Sequence, residues 1–112
     1  KFTDECPAFI IVVEEPARLI SRIRDAVPSE QIYAPVDIGI AAAHICLQAT
    51  DLGLSTCIMG WFDQTALREA AGLPADKPIR LVIGVGYAAD EKLREKVRKP
   101  LADILQYVND DE

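Results

Sequence analysis

The stretch from Asp37 to Leu52, DIGIAAAHICLQATDL, constrains the fold more than any other part of the chain. Asp37 can cap a helix N-terminus, Gly53 can close the C-terminus, and alanines fill the middle, so the pattern predicts one long helix. At helical spacing Asp37, His44, Gln48 and Asp51 fall on one narrow stripe, while the remaining circumference is apolar or alanine. An ordinary surface helix exposes more polar residues. At about 1.5 Å per residue this segment spans roughly 24 Å. A helix that long and that apolar needs cover from several elements, and a second subunit is one candidate for part of it.

The rest of the chain offers strands and short helices. AFIIVV, from Ala8 to Val13, is a β-branched run bounded by Pro7 and Pro16 and predicts a buried strand. PIRLVIGVGY, from Pro78 to Tyr87, predicts a second. STCIMGW fits a short strand or an extended loop. PARLISRIRDAV and LADILQYV carry apolar residues at helix spacing, the latter at Leu101, Ile104, Leu105 and Val108. DQTALREAAGLP predicts a helix capped by Asp63 and stopped by Gly72. Strands interrupted by helices imply a mixed layer arrangement, although the pattern alone does not separate α+β from α/β. The length of 112 residues, half of them apolar, fits one domain over residues 1–112. Two strong strands are too few to cover the central helix. Together with the start KFTDECPAFIIVV, which has no initiator methionine, this leads us to expect the later part of a longer protein.

Charge and composition exclude several classes of function. With 12 Lys and Arg against 18 Asp and Glu, the net charge is -6, which argues against a nucleic-acid binder with a broad basic face. No apolar run reaches the ~20 residues that span a bilayer, and no secretory signal opens the chain, so a cytoplasmic protein without membrane contact is expected. Cys6, Cys46 and Cys57 are widely spaced and odd in number, and His44 is the only histidine. Neither a disulfide framework nor a metal site is expected. Cys46 reads as a small core residue, and mid-helix His44 as structural or interfacial.

Four features could carry chemistry. GVGY, Gly84 to Tyr87, lacks the third glycine of a dinucleotide fingerprint and reads as the end of a buried strand. Glu14 and Glu15 are adjacent at a strand end and point to opposite faces, which suits a solvated pair better than a shared catalytic site. Lys92, Arg94, Lys96 and Arg98 alternate, so in an extended segment they form a comb that could hold a phosphate. In a helix, by contrast, Glu91 and Glu95 would neutralise them as a solvated face. In CIMGW, Gly60 would let a flat ligand approach the backbone while Ile58 and Met59 offer amides and an apolar wall, or the segment is simply a packed turn.

The succession DIGIAAAHICLQATDLGLSTCIMGWFD, then LREAAGLPADKPIRLVIGVGY, then RKPL resembles the C-terminal half of the nitroreductase-like flavoproteins over about Pro7 to Leu105. The resemblance implies an α+β fold, a mostly antiparallel sheet wrapped by helices, with the long central helix at a homodimer interface. It implies noncovalent FMN and two-step transfer of hydride equivalents from NAD(P)H to nitroaromatic, quinone or related small-molecule acceptors. On the matching positions, Ile58, Met59 and Gly60 fall on the loop whose backbone lies against the flavin ring. Arg98 matches the late basic residue that reaches the FMN phosphate, and Lys96 matches a lysine present in some members. Trp61 and Phe62 adjoin the loop and could wall the site. No single side chain is assigned a catalytic role.

The family's N-terminal phosphate grip and its Pro-Ser-x-x-Asn loop have no counterpart before Pro7. VPSEQ, at Val27 to Gln31, imitates that loop in the wrong place and is taken as coincidence. Two readings follow: part of an FMN-dependent oxidoreductase, or a noncatalytic dimerisation or binding module that keeps the fold without flavin.

Overall fold

In the computed structural model, residues 3–15, 33–90 and 92–108 are described. The helix expected over PARLISRIRDAV and the VPSEQ segment lie outside the described residues. The elements in chain order are β1 (Ala8–Val13), α1 (Ala34–Asp51), β2 (Ser55–Met59), α2 (Gln64–Ala71) and β3 (Ile79–Gly86). The three strands form one antiparallel sheet in the order β1-β3-β2. β3 is therefore central, which agrees with its sequence: it holds the buried Ile79, Val82 and Ile83, the last with no exposed surface. The α+β architecture expected from the family resemblance is what the chain adopts.

The long helix begins earlier than its sequence suggests. Tyr33 occupies the N-cap without a side-chain cap, Pro35 lies in the first turn, and Asp37 is a first-turn residue rather than the cap. Proline fits there because the N–H it lacks would have no intrahelical partner anyway, and the Asp37 charge still faces the positive end of the helix dipole. The C-terminus follows the expected design. Gly53 takes φ 75°, with its N–H bonded to Thr50 O and that of Leu54 to Ala49 O, at 3.0 and 2.8 Å. This is a Schellman closure.

One stripe of α1 is covered. Ala42 and Ala49 are buried, with Ile38, Ile45 and Cys46 half-buried beside them. Val36, Ile40 and Leu47 remain more than half exposed on other sides. The polar stripe of Asp37, His44, Gln48 and Asp51 is exposed. There His44 donates from Nδ1 to the Ile40 carbonyl at 2.8 Å, a local bond within the helix.

α2 is closed at both ends as the sequence predicts. Asp63 Oδ1 accepts from the Thr65 and Ala66 amides, each at 3.0 Å, and Gly72 adopts φ 63°. Two expectations are corrected. Glu14 and Glu15 are not a solvated pair. Glu14 accepts from Arg80 Nε at 2.6 Å with its side chain only 11% exposed, and Glu15 pairs with Lys77. The cause is a bulge: Val12 opposes Leu81 but Val13 opposes Ile79, so Arg80 is the extra residue, re-aimed towards Glu14. In place of the expected final helix, one 3₁₀ turn forms at Leu101–Asp103, and every described residue from 92 to 108 is exposed. Helical spacing alone does not hold a short helix that has no surface to pack on.

Candidate functional site

β2 and β3 pair with Ser55, Cys57 and Met59 opposite Gly86, Gly84 and Val82. Because side chains alternate along a strand, Cys57 and Met59 share one face with Gly84 and Gly86, and Phe9 joins them from β1, where it too opposes Gly84. The two glycines leave that face without side chains at its centre. The result is a cleft of about 390 Å³, floored by Gly84 and Gly86, walled by Phe9, Cys57 and Met59, and rimmed by the segment from Thr3 to Pro7 and by Tyr87. No residue of α1 lines it, and the fully buried Ile83 lies on the opposite face of the sheet.

Both glycines are closely packed. A Cβ on Gly84 would stand 3.1 Å from Cys6 Sγ, 3.6 Å from Met59 Cε and 3.7 Å from a Phe9 ring carbon. The Cys6 thiol fills part of that space, and its one S–H is shared between the carbonyls of Ala8 at 3.2 Å and Val85 at 3.6 Å. Cys57 is exposed, whereas Cys6 and Cys46 are half-buried, so Cys46 is less enclosed than its sequence reading expects.

The expected ligand-facing residues divide between two places. Met59 ends β2 on the cleft. Ile58 points to the other face, across from Ile83, and is half exposed, so only its backbone can serve a ligand in the cleft. Gly60 follows the strand with open space around it: an added Cβ would meet nothing within 4 Å. β2 is an edge strand, and amides of its outer side are turned away from β3. Trp61 is wholly exposed beyond the loop and Phe62 half-buried, after which Asp63 starts α2.

Lys96 and Arg98 lie on the exposed arm after β3, in a stretch without helix, so the solvated-helix reading does not hold there. Neither cation lines the cleft, and neither is paired with a carboxylate among the described residues. The chain thus assembles a recess of mixed apolar and polar lining that ends at Met59, just before Gly60, and presents Lys96 and Arg98 elsewhere. Sequence reasoning missed Cys6, Pro7 and Phe9 as cleft residues. The available signal was the Gly84, Gly86 alternation, which puts both gaps on one strand face.

The nitroreductase family model matches residues 1–87. The chain belongs to the nitroreductase family. A nitroreductase family protein from Streptococcus pneumoniae TIGR4 is 31% identical with a TM-score of 0.64, covering 75% of this chain and 43% of its own. One from Clostridium difficile 630 is 26% identical with a TM-score of 0.67, over 92% of this chain and 60% of that one. A protein named as a nitroreductase from Exiguobacterium sibiricum 255-15, solved in complex with FMN, shares the fold at 24% identity and a TM-score of 0.66, over 77% and 42%. The nitroreductase chain described here therefore spans between 42% and 60% of the length of these neighbours. No curated protein matches it. Among the described residues no helix is long and apolar enough to cross a membrane.

Proposed function

We propose that this chain is the C-terminal portion of an FMN-dependent NAD(P)H oxidoreductase that reduces nitroaromatic, quinone or related acceptors in two half-reactions. The observation that carries the reading is the turn after β2, where an edge strand delivers Met59 to the cleft and Gly60 leaves the space in front of the backbone empty. When bound, FMN supplies the transfer of hydride equivalents between NAD(P)H and the acceptor. The chain's own work is binding and exclusion of water. Backbone of Ile58, Met59 and Gly60 gives the flat ring a hydrogen-bonding edge, and the Met59 side chain gives it an apolar wall. Lys96 and Arg98, cations without carboxylate partners among the described residues, suit the phosphate end.

Family membership and the FMN held by the Exiguobacterium neighbour support this reading. The exposed apolar side of α1, with Val36, Ile40 and Leu47, supports a homodimer in which that helix meets its copy. A second reading, a noncatalytic dimerisation module, is favoured by one observation: Lys96 and Arg98 stand outside the cleft. A visible spectrum separates the two. Protein mixed with FMN and desalted should retain flavin absorption, and a colourless product would leave only the module.

A further inference from the structure

The geometry points to a second chemistry in the cleft: Cys6 and Cys57 form a thiol pair that a hydroperoxide closes into an intramolecular disulfide. The inference rests on the cleft alone and does not depend on flavin.

Gly84 is the pivot of the arrangement. Cys57 is its direct cross-strand partner on β2, and Cys6 Sγ stands 3.1 Å from the point a Gly84 Cβ would occupy. Opposed Cβ positions in an antiparallel pair lie about 5 Å apart. No more than about 8 Å therefore separates the Cys6 sulfur from the Cys57 Cβ, over a residue that has no side chain of its own. Both cysteines line the same cleft, whereas Cys46 lies on α1 and does not.

Their surroundings divide the work between them. Cys57 is exposed and meets solutes first. Cys6 is half-buried and comes before β1, where a single 3.2 Å amide bond from Cys6 to Thr3 O closes the turn. A disulfide needs Cα atoms roughly 4.4–6.8 Å apart; to close it, Cys6 gives up its contacts with the Ala8 and Val85 carbonyls while Pro7 stays seated on Gly86.

The chemistry balances with hydrogen peroxide, the simplest hydroperoxide, as oxidant. The Cys57 thiolate attacks the terminal peroxide oxygen, the O–O bond breaks, and the leaving hydroxide takes up the thiol proton as water. The resulting sulfenic acid is attacked at sulfur by Cys6. The S–S bond forms, the S–O bond breaks, and the second hydroxide leaves with the Cys6 proton as water. Two thiols are oxidised and one peroxide is reduced. The product ties the segment before β1 to the edge strand across the Gly84 floor, so the cleft is bridged when oxidised and open when reduced.

Dilute protein treated with hydrogen peroxide, alkylated and digested without reductant tests the proposal by mass spectrometry. The expected product is a peptide pair joined through Cys6 and Cys57, two hydrogens lighter than the free peptides and released by dithiothreitol. The Cys46→Ser variant should still form it, and Cys6→Ser and Cys57→Ser should not. Cross-links between separate chains, linkage through Cys46, or sulfinic acid at Cys57 with Cys6 left free in the wild-type protein would each overturn the assignment.

Discussion

Gly86 lies against the ring of Pro7: a Cβ added to it would stand 2.9 Å from Pro7 Cδ and 3.3 Å from Cγ. A proline ring has no flexible end to move aside, so the contact fixes the segment before β1 over the last residue of β3. Gly86→Ala should therefore destabilise the fold by about 1–3 kcal/mol through overpacking. Gly60→Ala, at a position with nothing within 4 Å, is the matched control and should change little. Urea melts of the two variants decide this, and equal midpoints would contradict the close approach.

Among the described residues Ile83 is the best-buried large side chain, with 0% exposure at the centre of the middle strand. Ile83→Ala removes its packing and leaves a cavity, at an expected cost of about 3 kcal/mol. Calorimetry should show a clear fall in Tm, and a shift within error would mean that the core lies elsewhere.

Asp63 accepts two amides at the start of α2, so Asp63→Ala should cost about 1 kcal/mol. Asp63→Asn keeps an acceptor oxygen and should recover most of the loss in the same denaturation assay.

For the proposed flavin site, Gly60→Val places a branched side chain in the open space before the loop and should abolish FMN retention with the fold intact. Arg98→Ala should weaken FMN by about 1.5–3 kcal/mol, the worth of a hydrogen bond to a charged group. Equilibrium titration checks both. Unchanged affinity in Gly60→Val would remove the loop from the site, and unchanged affinity in Arg98→Ala would remove the cation.

Trp61 is the chain's only tryptophan and is fully exposed beside Gly60. Its emission should be that of a hydrated indole, and it should be quenched when FMN binds next to it. Flavin retention with unaltered Trp61 emission would put the ligand at another part of the surface.

Much of this could be read from residue types, because local signals act where neighbours agree with them. Asp63 and Gly72 cap α2 as their chemistry dictates, and Gly53 closes α1 in the left-handed conformation. The start of α1 was less legible. Asp37 is a strong cap residue, but Pro35 tolerates the first turn and lets the helix begin sooner. Leu101, Ile104, Leu105 and Val108 have helical spacing but no surface to bury against, and periodicity does not report that lack. The cleft was hidden for a different reason. Cys6, Cys57 and Gly84 come together only through strand register, which no local pattern encodes.

The order β1-β3-β2 also has a consequence for how the chain acquires its shape. The two outer strands are not paired with each other, and each waits for β3, the last of the described strands. Ala8 cannot find Val85, nor Ser55 Gly86, until residues 79–86 have been synthesised. Such distant pairings close large loops and slow the search for the folded state. A nascent chain stopped before Ile79 would carry β1 and β2 without the strand that joins them, and release of β3 from the ribosome is what allows these three strands, and with them the cleft, to come together.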